Sequence, residues 1–312
     1  MTLEKTYDND FKPGANYKAT LPDLQNTDGF KGAKVFLPIV GIHNFKMPIK
    51  FYRPDGEPMV LETSITGSVS LDAEKKGINM SRIIRSFYDV VAENGYTYAL
   101  ELANKVVGRY QDDLGENEAR VLLSFHYPVW VESLRTGLAG WQYYDIALEV
   151  AHIRGRRVNI MHLDYVYSST CPCSLELSEH ARDQRGRMAT PHSQRSVARI
   201  SVRLNPNAEE PMRFEELIEA CREAVPTETQ VMVKREDEQA FAELNGSNPI
   251  FVEDATRLLA QSIQALTLDD FRVICSHQES LHSHDAIAMY CEGEFFDAHS
   301  IDPYLFKTLI KR

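Results

Sequence analysis

The hydrophobic residues of this chain change their spacing in a fixed order, and that order constrains the fold more than any single motif. From Lys34 an apolar run reaches position 42 and continues to Tyr52. Ile65, Gly67, Val69 and Leu71 then alternate with polar neighbours, which is the period of a strand. Met80, Ile83, Ile84, Phe87 and Val91 recur at helical spacing, as do Ala99, Leu102 and Val106. Strand-like runs return near 119–131 and 142–152, so the first half reads β-β-α-α-β-β.

The order comes back in the second half. Strands are predicted near 156–168 and 195–204, helices through Phe214, Leu217, Ile218 and Cys221 and through Val252, Ala255, Leu259 and Ile263, and closing strands near 271–277 and 286–292. Element order repeats, without visible identity between the halves. This predicts an α+β chain of two tandem modules, 34–153 and 154–312, each an antiparallel sheet with helices on one face. Residues 1–33, rich in Asp, Asn, Pro and Gly, read as an extended N-terminal arm. Free sheet edges tend to pair with another subunit, so a symmetric oligomer is expected.

Composition narrows the partners. With 43% hydrophobic residues among 312, a substantial core is available. The formal net charge of −11 provides no broad electrostatic footprint for nucleic acid, so an anionic substrate must be held by a local cluster of Arg and Lys. No apolar run approaches the roughly 20 residues of a membrane span, and the first ten residues lack a signal-peptide layout; a cytoplasmic location is expected. Five cysteines, an odd number, argue against a disulfide framework and leave thiols for metal or chemistry.

Chemistry-bearing residues concentrate in the second half. Cys171-Pro172-Cys173-Ser174 ends a predicted strand, and a polar, basic segment, His180 to Thr190, read as a loop, leads to Pro191-His192. Cys-x-Cys is too close for the usual zinc pairing, and two buried thiols are the plain alternative. Glu279-Ser280-Leu281-His282-Ser283-His284 follows later. As a strand it places His282 and His284 on one face; as a turn or helix start it brings Glu279 to His282, and both readings stay open. Lys234 to Glu238 reads by itself as a solvated charge run, and Glu253 and Asp254 as the acidic first turn of a helix. Arg82 and Arg85 read as surface charges near a helix start.

Together these segments resemble type IB GTP cyclohydrolase. The likeness rests on Cys171 to Ser174, Pro191 to Ser196, Lys234 to Glu238, Phe251 to Asp254 and Glu279 to His284, with Met80 to Arg82 and Gly137 to Asp145 in the first half. Several motifs in the right order are far more specific than any one. The resemblance implies a tunnelling fold, in which such modules assemble into barrels as a homotetramer with active sites at subunit interfaces. It implies conversion of GTP and water to 7,8-dihydroneopterin triphosphate and formate. Matching residues suggest Cys171, His192 and Glu238 as ligands of a divalent metal (zinc, manganese or iron), Glu253 as the guanine anchor, and Cys173, Glu279 and His282 as proton-transfer groups. Arg82, Arg85, Arg195, Lys234 and Arg235 are the cations expected against the triphosphate.

Two departures stand out. The family carries a histidine before Met-Ser-Arg where this chain has Asn79, which cannot supply a proton near neutral pH. The interval from Cys171 to His192 is also longer than the compact family pattern; loops absorb insertions cheaply, and His180 is the substitute ligand if the geometry is disturbed. The competing expectations are an NADPH-dependent nitrile reductase of the same fold, using Cys171 or Cys173 as nucleophile, and a non-catalytic metal-stabilised oligomer.

Overall fold

Alternation of apolar and polar side chains builds the sheet, and the sheet determines everything else. The computed structural model describes residues 5–23, 33–206, 208, 212–266, 268, 270–296 and 309. A short helix, α1 (Ala15–Lys18), lies in the exposed N-terminal arm, and residues 24–32 of that arm fall outside the described residues. Eight strands follow: β1 (Leu37–Tyr52), β2 (Pro58–Leu71), β3 (Ala119–Glu132), β4 (Ala139–Ile153), β5 (Arg156–Thr170), β6 (Ser193–Leu204), β7 (Phe271–His277) and β8 (Ala286–Glu292). They join in chain order into one sheet, every neighbouring pair antiparallel. The architecture is thus α+β, and all eight predicted strands are present.

The helices interrupt this meander and cover one face. α2 (Met80–Asn94) and α3 (Ala99–Leu114) pack on β1 to β4; α5 (Phe214–Ala224) and α7 (Val252–Gln264) pack on β5, β7 and β8. Each buries one stripe: Ile83, Phe87 and Val90 on α2, and Leu259 and Ile263 on α7. These side chains meet Val121, Leu123, Ile200 and Val273 from the strands in one continuous core. Burying each large aliphatic residue contributes about 1.5–3 kcal/mol. Asn79 takes the N-cap position of α2, where its side-chain oxygen accepts the Ser81 hydroxyl at 2.7 Å.

Besides the single turn of α1 in an arm read as extended, two helices escaped the sequence reading. The segment His180 to Thr190 is not all loop: α4 (Pro172–Arg185) takes in its first six residues. Proline at the first helical position starts it, and Gly186 ends it in the left-handed region, φ 60°, donating its N–H to Arg182 O at 2.9 Å. Ser178 is its one buried residue, so no apolar stripe betrays it. The supposed charge run at 234–238 begins α6 (Arg235–Ser247), and its Asp237 is fully buried rather than solvated.

Asp237 explains that placement. One carboxylate oxygen accepts the backbone N–H groups of Arg135 (2.8 Å) and Thr136 (3.0 Å); the other accepts the Thr136 hydroxyl (2.6 Å) and the Lys234 N–H (2.9 Å). The residue caps α6 and binds it to the β3–β4 turn. Burial by itself would raise this carboxyl, but the bonds from Lys234, Thr136 and Arg135 outweigh it and hold it well below the usual range.

At the same end the sheet divides. β4 leaves β5 after Asp145 pairs with Asp164, and residues 227–229 enter beside β5 in its place. Ser168 N–H donates to Thr227 O at 2.8 Å and Thr229 N–H to Val166 O at 3.2 Å. Glu228 then receives the Tyr144 hydroxyl and, at 2.8 Å, Arg222 Nε. The division leaves the ends of β5 and β6 as a separate ledge.

Candidate active site

Cys171 and His192 meet on that ledge because they flank an excursion from one strand pair. β5 and β6 stay in register to Thr170 opposite Ser193, whose hydroxyls lie 2.7 Å apart. Beyond that pair, Cys171 N–H donates to His192 O at 3.2 Å, and His192 N–H donates to the Ser174 hydroxyl at 3.1 Å. The long interval between them is α4 and its return, so its length does not disturb their meeting. His180 lies exposed on α4.

The imidazole of His192 is oriented from behind. Its Nδ1 lies 3.0 Å from Gln194 Oε1 and 3.5 Å from Glu279 Oε2. Gln194 Nε2 donates to Ser169 Oγ at 2.8 Å, and Ser169 Oγ is 2.7 Å from Ser196 Oγ, both serines being fully buried. With its NH₂ committed to Ser169, the amide turns its oxygen to His192 Nδ1, a geometry that suits the Nδ1–H tautomer, whose Nε2 is left for a ligand. That is the tautomer a metal ligand requires, fixed by the partner that such ligands characteristically have. A thiolate, this imidazole and a carboxylate suit a divalent ion.

Glu279 reaches His192 from the turn after β7, where its N–H donates to His277 O at 2.9 Å. His277 is buried, its Nε2 2.9 Å from the Tyr167 hydroxyl and its ring edge-on to Tyr167. Burial pushes its pKa down to about 4, so it stands neutral beneath the site. The chain from 280 to 284 is neither strand nor helix. His282 and His284 are exposed there and stack on each other, 4.7 Å between ring centroids at 12°.

α7 is docked to the same ledge, since Ile250 N–H donates to Thr170 O at 2.9 Å. Glu253 is thereby presented, exposed, from the first turn of α7. Cys173 is exposed in the first turn of α4, and Arg195 is exposed on β6 two residues beyond Ser193. Lys234, Arg235 and Glu238 lie exposed at the start of α6. Among the described residues no group of three or more His, Cys, Asp and Glu is gathered to hold a metal, so Glu238 does not close a three-ligand set with Cys171 and His192 here.

Arg82 and Arg85 are not brought to this end. They occupy the start of α2, where Arg82 Nη1 donates to Asp113 O at 2.9 Å. Asp113 ends α3 near the start of β3, whose Ala119 faces His152 at the close of β4. Cys171 lies beyond the opposite end of β5, on the order of 45 Å away along the strands. Cys221 and Cys275 are buried; burial raises both thiols, Cys275 to about 11, which makes them inert.

Gln194, Ser169, Ser196, Tyr167 and His277 were not singled out in the sequence as parts of the site. The available signal was alternation: on a strand, Gln194 lies on the face of His192, and Ser196 on the face of Gln194.

The fold and this cluster place the chain among enzymes of nucleobase-like chemistry only when joined to its relatives. A family model described as Type I GTP cyclohydrolase folE2 matches residues 21–288. The chain is 58% identical to GTP cyclohydrolase FolE2 of Dinoroseobacter shibae over 99% of its own length and 84% of that protein's. It is 59% identical to GTP cyclohydrolase FolE2 of Roseobacter denitrificans, with 98% and 83% covered. The chain belongs to the FolE2 GTP cyclohydrolase family. Among solved structures, uricase from Arthrobacter globiformis superposes with a TM-score of 0.50 at 8% identity, covering 89% of this chain and 99% of that one. A hyper-thermostable AgUricase mutant gives 0.53 at 9%, covering 89% and 97%. At such identities the likeness is one of fold.

Proposed function

We propose that this chain is a type IB GTP cyclohydrolase, hydrolysing GTP to 7,8-dihydroneopterin triphosphate and formate at the head of folate biosynthesis. The observation that carries the reading is the His192 imidazole, held by Gln194 with Nε2 left for a ligand, beside Cys171 at the end of β5. A divalent ion, zinc, manganese or iron, would be held by Cys171 and His192, with Glu238 joining them only on metal binding, and would supply a coordinated water with its pKa brought down to about 7.

The protein's own groups do the rest. The Glu253 carboxylate accepts two parallel N–H bonds from the guanine edge and orients the ring. Opening the imidazole ring, releasing formate and reclosing demand several proton transfers, each worth typically ~10²–10⁴-fold when a positioned group performs it. Glu279, against His192, is the nearest such group, with Cys173 and His282 on the adjoining segments. Arg195, Lys234 and Arg235 face the triphosphate.

Arg82 and Arg85 reach a triphosphate only from a second copy, because their own α2 stands at the far end of the sheet. That requirement supports a homotetramer with interface sites, and β1 and β8, each with one strand neighbour among the described residues, supply edges for it. We infer that 34–153 and 154–312 are the two modules of a tunnelling fold whose barrel closes on assembly, behind the arm 1–33. Residues 297–308 of the second module fall outside the described residues. No described helix is long and apolar enough to cross a membrane.

The test is metal-depleted protein titrated with zinc, manganese or iron(II) and incubated with GTP. Formate and a fluorescent pterin, formed without nicotinamide, are the expected products. Unchanged GTP at every metal, or NADPH-dependent turnover of a nitrile in its place, would overturn the reading.

A further inference from the structure

We propose that Gln278 and Leu309 form a clasp on the face of the sheet opposite the helices, and that this clasp positions the Glu279 carboxylate against His192. Its bearing on catalysis rests on the proposed GTP reaction, in which Glu279 transfers protons; the contacts that define the clasp do not.

β7 ends just short of Glu279. The last ladder pair of β7 and β8 is His277 opposite Ala286, and the chain from 280 to 284 is neither strand nor helix. Past His277 the sheet therefore no longer dictates where a side chain stands. Yet Glu279 Oε2 lies 3.5 Å from His192 Nδ1, with its side chain only 15% exposed. Bonds made just beyond the ladder bridge that gap. Glu279 N–H donates to His277 O at 2.9 Å, and Gln278 Nε2 donates to Leu309 O at 2.9 Å.

Leu309 is a fixed acceptor because its side chain is seated. It is fully buried with Val197 and Ile274, and Val166 and Met289 pack against this cluster, so one residue from each of β5, β6, β7 and β8 builds the seat. Val166 pairs with Val197, and Ile274 with Met289. Alternation puts this seat behind the site: Val166 precedes Tyr167, Val197 follows Ser196, and Ile274 and Ser276 alternate with Cys275 and His277. By the same alternation Gln278 turns to the seat and Glu279 to His192. A glutamine at a strand end has several rotamers to lose. Its bond to a carbonyl anchored by a buried leucine removes that freedom from Gln278 and, through the next peptide, restrains Glu279. Such restraint matters to a proton-transfer group, since a displacement of about 1 Å can cost roughly 10²-fold in rate.

The test measures kcat, KM for GTP and the thermal midpoint on the holoenzyme carrying Gln278→Ala, Leu309→Ala or Leu309→Met, and again with each joined to Glu279→Gln. Gln278→Ala and Leu309→Ala are expected to lower kcat about tenfold or more with KM unchanged, while Leu309→Met, of similar volume, should keep most of the activity. In the Glu279→Gln background the same substitutions should cost nothing further, because the carboxylate they position is already gone. A role in stability alone would lower the midpoint and leave kcat as it is, or lower kcat equally in both backgrounds; either result overturns the proposal. Amide exchange separates the clasp from the assigned chemistry: Gln278→Ala should accelerate exchange at Glu279 and leave Val273, inside β7, unchanged. If Glu279→Gln keeps full turnover, Glu279 is not a proton-transfer group, and exchange at Glu279 still decides the clasp, which acceleration sustains and an unchanged rate ends.

Discussion

Gln194 Oε1 lies 3.0 Å from His192 Nδ1, and the same amide is held from behind by Ser169 at 2.8 Å. This pair sets the imidazole's tautomer and angle before any ligand arrives. Gln194→Ala should lower metal affinity by about 10–100-fold, the usual cost of losing such a partner, and Gln194→Glu should restore part of it. Metal competition with a chromogenic chelator measures both. Affinity unchanged in Gln194→Ala would show that the contact does not orient a ligand.

His277 makes the fold sensitive to acid. Burial holds its folded pKa near 4, against 6.5 for the free side chain. The unfolded chain takes up a proton that the folded one refuses, so this contribution is complete above pH 6.5 and is lost as pH falls to about 4. The loss is about 3 kcal/mol. Urea unfolding between pH 7 and 4 should show this slope in the wild type and a flatter one in His277→Gln, whose side chain can still accept the Tyr167 hydroxyl. Identical slopes would remove His277 as the cause.

Asp237 should act on structure at a distance from its own helix. Asp237→Ala leaves the N–H groups of Arg135 and Thr136 without their acceptor, so their amide exchange should accelerate and the thermal midpoint fall, with Asp237→Asn intermediate. Because the folded carboxyl lies below its ordinary 3.8, its contribution is present above that value and disappears as pH drops through the lower folded one. Unchanged exchange at 135 and 136 would contradict the assignment.

The close pairing of β1 and β2 requires Gly41. A β-carbon there would sit 2.0 Å from Gly67 O and 2.6 Å from Ser68 Cα, both backbone atoms that cannot swing aside. Gly41→Ala should destabilise by about 1–3 kcal/mol or more, whereas Gly14→Ala, with nothing within 4 Å, should be nearly neutral in the same denaturation assay.

The strands and the four amphipathic helices were legible because one-sided burial writes a period into the sequence: Ala119, Val121, Leu123, Phe125 and Tyr127 are all buried, with lesser burial between them. α4 and α6 were not, since each lies mostly in solvent and carries few apolar residues to mark a face. Asp237 looked like one charge among five; only the folded β3–β4 turn supplies three of the four donors that bury it. The site divided similarly. Cys171, His192 and Glu279 carry chemistry that can be named from residue type, while Gln194 and Tyr167 matter through partners that the fold brings from other strands. Arg82 and Arg85 resemble phosphate ligands in sequence, yet one chain places them at the wrong end of the sheet.

The central claim divides two roles between two residues: Cys171 holds metal, and Glu253 holds substrate. Bound metal and GTP turnover should be measured together on Cys171→Ala and Glu253→Ala proteins purified alike. The account predicts that both lose turnover and that only Cys171→Ala loses metal. Equal loss of metal in the two variants, or full turnover in either, would contradict it.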